Sequence, residues 1–284
     1  MAIIFSKKDI PYSHWQLIHI ETGDHLCIVP ERGGLITEWH CNGREILYFD
    51  LERFKQKEKS VRGGIPILFP ICGNLPGNCL TLEQGNFLLN QHGFARDSTW
   101  QIKPIEDKNT FVLSLSDTLT TRAIYPYCFL VELEVQFEGN SLDFSIRVHN
   151  QSSHQMPFSF GMHPYFNVKD LKKTKIEGLP PTCIDHLNMI EGPTAYQLGR
   201  ISEGIDFVSG PTKSVALIDL STGTRLEIEH QEPMDLTVVW TDPPRPMICL
   251  EPWTSPRESL ISGERRLILQ PGAVQKLNCS FLVD

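Results

Sequence analysis

Hydrophobic and polar positions alternate along much of this chain. In "FLVELEVQF", Phe129, Val131, Leu133, Val135 and Phe137 share one face, and Glu132, Glu134 and Gln136 the other. After the turn "EGNS", "LDFSIRVHN" resumes with Leu142, Phe144, Ile146 and Val148 pointing inward. A period of two around a polar turn predicts an antiparallel hairpin with one buried face. "VALIDL" and "RLEIEH", joined by "STGT", repeat the pattern, and "TFVLSLSD", "DLTVVWT", "PMICLEPW", "RRLILQ" and "KLNCSFLV" predict further strands. Helical periodicity is nearly absent. "YFDLERFKQKEKS" and "ESLISGE" each predict one short helical turn. Many strands, few helices and no break in composition predict one all-β body of two packed sheets, a single domain over residues 1–284. Residues 179–206, rich in Pro, Gly and polar residues, read as a long surface excursion able to carry binding groups.

Composition narrows the classes of function. The chain has 284 residues and a formal charge of −8. The acidic balance argues against a nucleic-acid binder, which needs a basic face. It leaves room for a small anionic ligand held by a few arginines. The uncharged run "GGIPILFPICGNLPGNCLTL" is broken by prolines, glycines and asparagines, so it predicts turns and short strands and no membrane span. The start "MAIIFSKKDI" is too short in apolar residues for a secretory leader. The eight cysteines are scattered, without a C-x-x-C pair or zinc-like spacing. They read as reduced thiols of a cytoplasmic protein with no metal and no cofactor.

Five segments carry residues suited to chemistry. In "SVRGGIPILFP", Arg62 precedes two glycines, either a tight turn before a buried strand or a guanidinium brought close to a ligand. In "NQHGFARDSTW", Gln91, His92 and Arg96 crowd around Gly93, either as a polar loop or as a cluster fit for polyhydroxylated or anionic ligands. "SFGMHPYFNV" sets His163 among aromatics, either as a satisfied core histidine or as a group working in an aromatic-walled pocket. Asp206 in "GIDFVSG" is a turn residue or a ligand acceptor. Glu251 follows the apolar run Met247 to Leu250 in "PMICLEPW". A carboxylate there must be solvated, paired or functional, since desolvated charge is costly and raises a carboxyl pKa toward that of a useful base.

Taken together, "RGGIPILFP" at 62–70, "QHGFAR" at 91–96, "HPYFNV" at 163–168, "IDFV" at 205–208 and "CLEPWTSP" at 249–256 resemble, in order, the aldose 1-epimerase (galactose mutarotase-like) family, closest to its hexose-6-phosphate branch. The resemblance implies a large antiparallel twisted β-sandwich with a sugar cleft across one sheet. It implies interconversion of the α and β anomers of a hexose or hexose 6-phosphate, with Glu251 as general base and His163 as general acid. Asp206, Arg62, Gln91 and Arg96 match substrate-binding positions, and His92 a second active-site histidine. Ring opening needs a base at the C1 hydroxyl and an acid at the ring oxygen, and neither a metal nor a nucleotide. His163 is expected to start protonated, helped by a carboxylate such as Asp206. The partner implied is a small sugar or sugar phosphate, with no nucleic acid or membrane, on a monomer or weak dimer. Two other readings stand beside this one: a non-catalytic carbohydrate-binding or sugar-sensing protein on the same scaffold, and a glycoside hydrolase using Glu251 and Asp206.

Overall fold

The structure, a computed structural model, describes residues 3–105 and 109–284. The alternating segments become strands where the pattern places them. Phe129–Phe137 pairs with Ser141–Asn150 in a hairpin whose register sets Phe129 against Asn150 and Phe137 against Leu142. The two strands belong to an eight-stranded antiparallel sheet. Its order is Thr174–Glu177, Ser214–Asp219, Thr224–His230, Val274–Val283, Ser141–Asn150, Phe129–Phe137, Thr110–Ser116 and Gln101–Ile105.

A second sheet carries the site. It runs Ile190–Pro193, Thr182–Asp185, Asp206–Ser209, Leu236–Trp240, Met247–Trp253, Gly161–Met162 and Ile67–Leu68, and Tyr165–Asn167 also pairs with Met247–Trp253. Ile3–Lys8, His14–His19, His25–Val29, Leu35–Cys41 and Arg44–Glu45 form a five-stranded meander. One hydrophobic core joins all three sheets. It takes Leu26, Ile28 and Trp39 from the meander, Phe111, Val131, Ile146 and Phe281 from the first large sheet, and Phe207, Val239, Ile248 and Leu250 from the second. The architecture is therefore the predicted all-β antiparallel sandwich.

Both short helical turns appear, as Leu51–Phe54 and Ser259–Ser262. The Asp50 carboxylate caps the first by accepting from Arg53 N–H at 2.9 Å. The uncharged run around residues 63–82 is indeed turns and short strands. Among the described residues no helix is long and apolar enough to cross a membrane.

The surface excursion expected at residues 179–206 is largely exposed or half-buried and takes the form of an edge hairpin, Thr182–Asp185 with Ile190–Pro193, followed by the helix Thr194–Leu198. The strands are four residues long and sit at the sheet edge, where Pro and Gly are tolerated. Such a strand lacks the apolar alternation of a central one.

Candidate active site

Period-two geometry builds the site on the outer face of the second sheet. Along Met247–Trp253, Ile248 and Leu250 enter the core. Cys249, Glu251 and Trp253 therefore project the other way. Val238 lies opposite Glu251, and Trp240 opposite both Cys249 and Asp206. Asp206, Trp240 and Glu251 thus share one face although they are far apart in sequence. All seven candidate residues, Arg62, Gln91, His92, Arg96, His163, Asp206 and Glu251, line one cleft with about 570 Å³ of empty space.

Each side chain is held by its backbone. His163 follows the short strand Gly161–Met162, and its N–H donates to Pro66 O at 2.9 Å. Of its aromatic neighbours, Phe160 and Phe166 are core residues, whereas Tyr165 stacks on the imidazole with ring centroids 4.7 Å apart. Trp240 meets the same ring edge-on at 5.7 Å. Arg62 is set by a bridge between Phe49 and Gly63. Gly63 sits at φ 131, and a Cβ there would overlap the Tyr48 carbonyl, so only glycine lets the chain pass. His92 adopts φ 66, a left-handed conformation uncommon for a side-chain-bearing residue. Its Nδ1 accepts from Gly73 N–H at 3.1 Å, which places the proton of the neutral ring on Nε2. Arg96 donates to Gln91 O at 3.0 Å, while its buried Nε has no hydrogen-bond partner.

The chemistry centres on one contact. His163 Nε2 lies 3.3 Å from Glu251 Oε1. The other carboxylate oxygen accepts from Trp253 Nε1–H at 3.1 Å. Glu251 is 1% exposed and His163 8%. Burial, reinforced by the charge of Asp206, holds the Glu251 carboxyl well above its usual range, against the pull of Trp253, Arg257 and Arg96. Burial and the charges of Arg96 and Arg62 push His163 down to about 3. The expectation that Asp206 keeps His163 protonated is therefore overturned. Asp206 does favour the imidazolium, but burial and two arginines outweigh it. In the free cleft the imidazole is therefore neutral, and the carboxyl beside it is displaced toward its protonated form.

Asp206 itself stays ionised. Burial would raise it, but His186 and Arg257 dominate and hold it below the ordinary carboxylate range. Its two oxygens are occupied, Oδ1 by His186 Nδ1 and Oδ2 by Arg257 Nη2, each at 2.7 Å. Arg257, Trp240, Tyr165 and Trp253 line the cleft without having been singled out in the sequence. Trp253 and Tyr165 lie within motifs already noted, and their period-two offset from Glu251 and His163 was the available signal. His186 reaches Asp206 from the edge hairpin, and no linear pattern links those two residues.

Residues 16–282 match the family model described as Aldose 1-epimerase. The Slr1438 protein of Synechocystis sp. PCC 6803 is 34% identical and superposes with a TM-score of 0.91 over 95% of each chain. A galactose mutarotase-like protein from Clostridium acetobutylicum has the same fold at 20% identity, with a TM-score of 0.82 over 100% of this chain and 99% of the other. A protein of Cenchrus ciliaris carrying glucose-6-phosphate 1-epimerase as a provisional name is 28% identical over 262 residues, 86% of this chain and 74% of that protein.

Proposed function

The chain belongs to the aldose 1-epimerase family, an isomerase family, and from that premise we propose that its cleft interconverts the α and β anomers of a hexose 6-phosphate. The observation that carries this reading is the buried 3.3 Å contact between Glu251 and His163 beside Arg62 and Arg96 in one cleft. Glu251 removes the proton of the C1 hydroxyl while His163 protonates the ring oxygen. The ring opens to the aldehyde, which turns about C1–C2 and recloses on its other face with the roles exchanged. A carboxylate with a raised pKa is a strong base once ionised, and an imidazolium with a lowered pKa is a strong acid once protonated.

The free cleft disfavours that charged arrangement, and the substrate supplies the correction. A phosphate bound between Arg62 and Arg96 offsets the two charges that depress His163 and lets the proton pass from Glu251 to the imidazole. The anionic group then both anchors the sugar and arms the acid. His92, with its proton on Nε2, serves as a neutral donor to a sugar oxygen. Asp206, fixed at both oxygens, acts as an ionised acceptor. That occupancy speaks against a glycosidase mechanism in which Asp206 supplies a proton.

The test is anomer exchange by saturation-transfer NMR with glucose 6-phosphate, glucose and galactose in parallel. Enhanced exchange is expected for the phosphosugar above the neutral sugars. Glu251→Gln is expected to lower kcat by roughly a hundredfold or more while the circular dichroism stays unchanged. Exchange retained in that variant would remove Glu251 from the mechanism. Binding without exchange in the unmutated protein would favour the sugar-sensing alternative.

A further inference from the structure

We propose that the N-terminal meander carries a site for a divalent transition metal of the Zn²⁺ class, ligated by His25 Nε2, Cys27 Sγ and Glu38 Oε2. The residues come from two adjacent antiparallel strands, His25–Val29 and Leu35–Cys41. Their register sets His25 opposite His40 and Cys27 opposite Glu38, so the four side chains share one face. A bulge follows at Cys27/Ile28, a feature that re-aims neighbouring side chains. None of these residues lines the epimerase cleft.

The donor atoms converge as a metal requires. Cys27 Sγ is 3.3 Å from Glu38 Oε2, and His25 Nε2 is 3.9 Å from the same oxygen. All three donor atoms lie within 4.8 Å of one another. Tetrahedral zinc with bonds of about 2.0–2.3 Å separates its ligand atoms by roughly 3.5 Å, so small side-chain adjustments complete the geometry. A set of one sulfur, one nitrogen and one oxygen suits a borderline cation and disfavours Mg²⁺ or Ca²⁺, which take oxygen alone.

The surroundings supply the second observation. His25 Nδ1 lies 3.2 Å from Gly23 O. Donation to that carbonyl fixes the neutral tautomer and leaves the Nε2 lone pair facing Cys27 and Glu38, the support that ligating histidines receive. Tyr12 hydroxyl contacts the other Glu38 oxygen at 3.2 Å. Gln16 Nε2 reaches Cys27 Sγ at 4.0 Å. The His40 ring stacks on His25 with centroids 4.9 Å apart, and its buried Nδ1 has no hydrogen-bond partner. A lone pair, a sulfur and a carboxylate thus meet around the single proton of the Cys27 thiol. A cation takes that place by forming the Zn–S bond, and the thiol proton leaves to solvent. The metal clamps two neighbouring strands of the meander.

The experiment uses untagged full-length protein stripped of metal with a chelator. Titration with Co²⁺ is expected to raise a thiolate-to-cobalt charge-transfer band together with intense tetrahedral d–d bands, and one Zn²⁺ per chain should abolish both. Cys27→Ser should remove the charge-transfer band. Cys249→Ser should keep it, which separates this site from the cleft, where His163, Cys249 and Glu251 also lie close together. His25→Gln and Glu38→Gln, at partly exposed positions, should retain the fold and weaken Zn²⁺ binding by roughly tenfold or more in calorimetry. They carry the test if Cys27→Ser does not fold. The proposal is overturned if the unmutated protein shows no thiolate band, if the band survives in folded Cys27→Ser, if Cys249→Ser alone removes it, or if His25→Gln binds Zn²⁺ as tightly as the parent.

Discussion

At the scale of single residues, the cleft shows how burial and charge divide protons between two groups. Glu251 and His163 differ from their ordinary pKa values in opposite directions. The free protein therefore presents a neutral imidazole across the physiological range, and His163 does not gain a proton as the pH passes its ordinary 6.5 but only near about 3. In NMR spectra of the free protein the His163 ring is therefore expected to show no titration from about pH 8 down to about pH 5. A ring titration centred near 6.5 would show that His163 behaves as an ordinary imidazole. Arg96 tests the anion. It lines the cleft, donates to Gln91 O and sets its Nε 3.7 Å from the Asp97 carboxylate. Arg96→Ala is expected to raise KM for glucose 6-phosphate by roughly tenfold or more, with a much smaller change for glucose. Equal losses for both sugars would place its role elsewhere.

At the scale of elements, the strand Met247–Trp253 serves both sides of its sheet, core on one face and the candidate site on the other. Its neighbours must let Trp253 lie flat enough to donate to Glu251. Gly161 stands opposite Trp253 in the register. A Cβ there would lie 2.7 Å from Trp253 Cδ1 and 2.9 Å from Cys72 Sγ. Gly161→Ala is expected to cost about 1–3 kcal/mol in urea unfolding, as overpacked sites do. It should also lower kcat roughly tenfold by displacing the indole from Glu251. Unchanged kcat with unchanged stability would mean that the indole is free to shift. The edge hairpin acts at the same scale, since it is the element that brings His186 to Asp206.

At the scale of the whole molecule, the core holds uncharged histidines that acid will attack. His230, at the end of Thr224–His230, is pushed down to about 4 by burial, against the opposing influence of Asp235. Its folded pKa lies below the unfolded value of 6.5. The stability it contributes is therefore present above pH 6.5 and is lost as the pH falls toward about 4, because the unfolded chain binds the proton first. The loss is on the order of 2 kcal/mol at about pH 5. His163 adds to it in the same direction, while Glu251, raised in the fold, works in the opposite one. Urea midpoints measured from about pH 7 to about pH 5 should fall, and His230→Phe should flatten that fall. An identical slope in the variant would show that His230 titrates alike in the folded and unfolded chain.

The alternation in residues 129–150 and 215–230 was sufficient to determine long strands, hairpin registers and the all-β class, because a half-buried strand writes its two faces directly into the order of residues. The five motifs likewise carried Arg62, Gln91, His92, Arg96, His163, Asp206 and Glu251, each next to the glycine, proline or apolar run that shapes its backbone. Strands buried on both faces, such as His25–Val29, lack that alternation, and edge strands such as Ile190–Pro193 do not need it. Only the tertiary structure decided which distant residues meet. The His163–Glu251 contact, the clasp of Asp206 by His186 and Arg257, and the His25–Cys27–Glu38 cluster all cross between strands. Only it decided in which direction each pKa is displaced, because that depends on the water excluded and the charges gathered around each group, and neither quantity exists until the chain has folded.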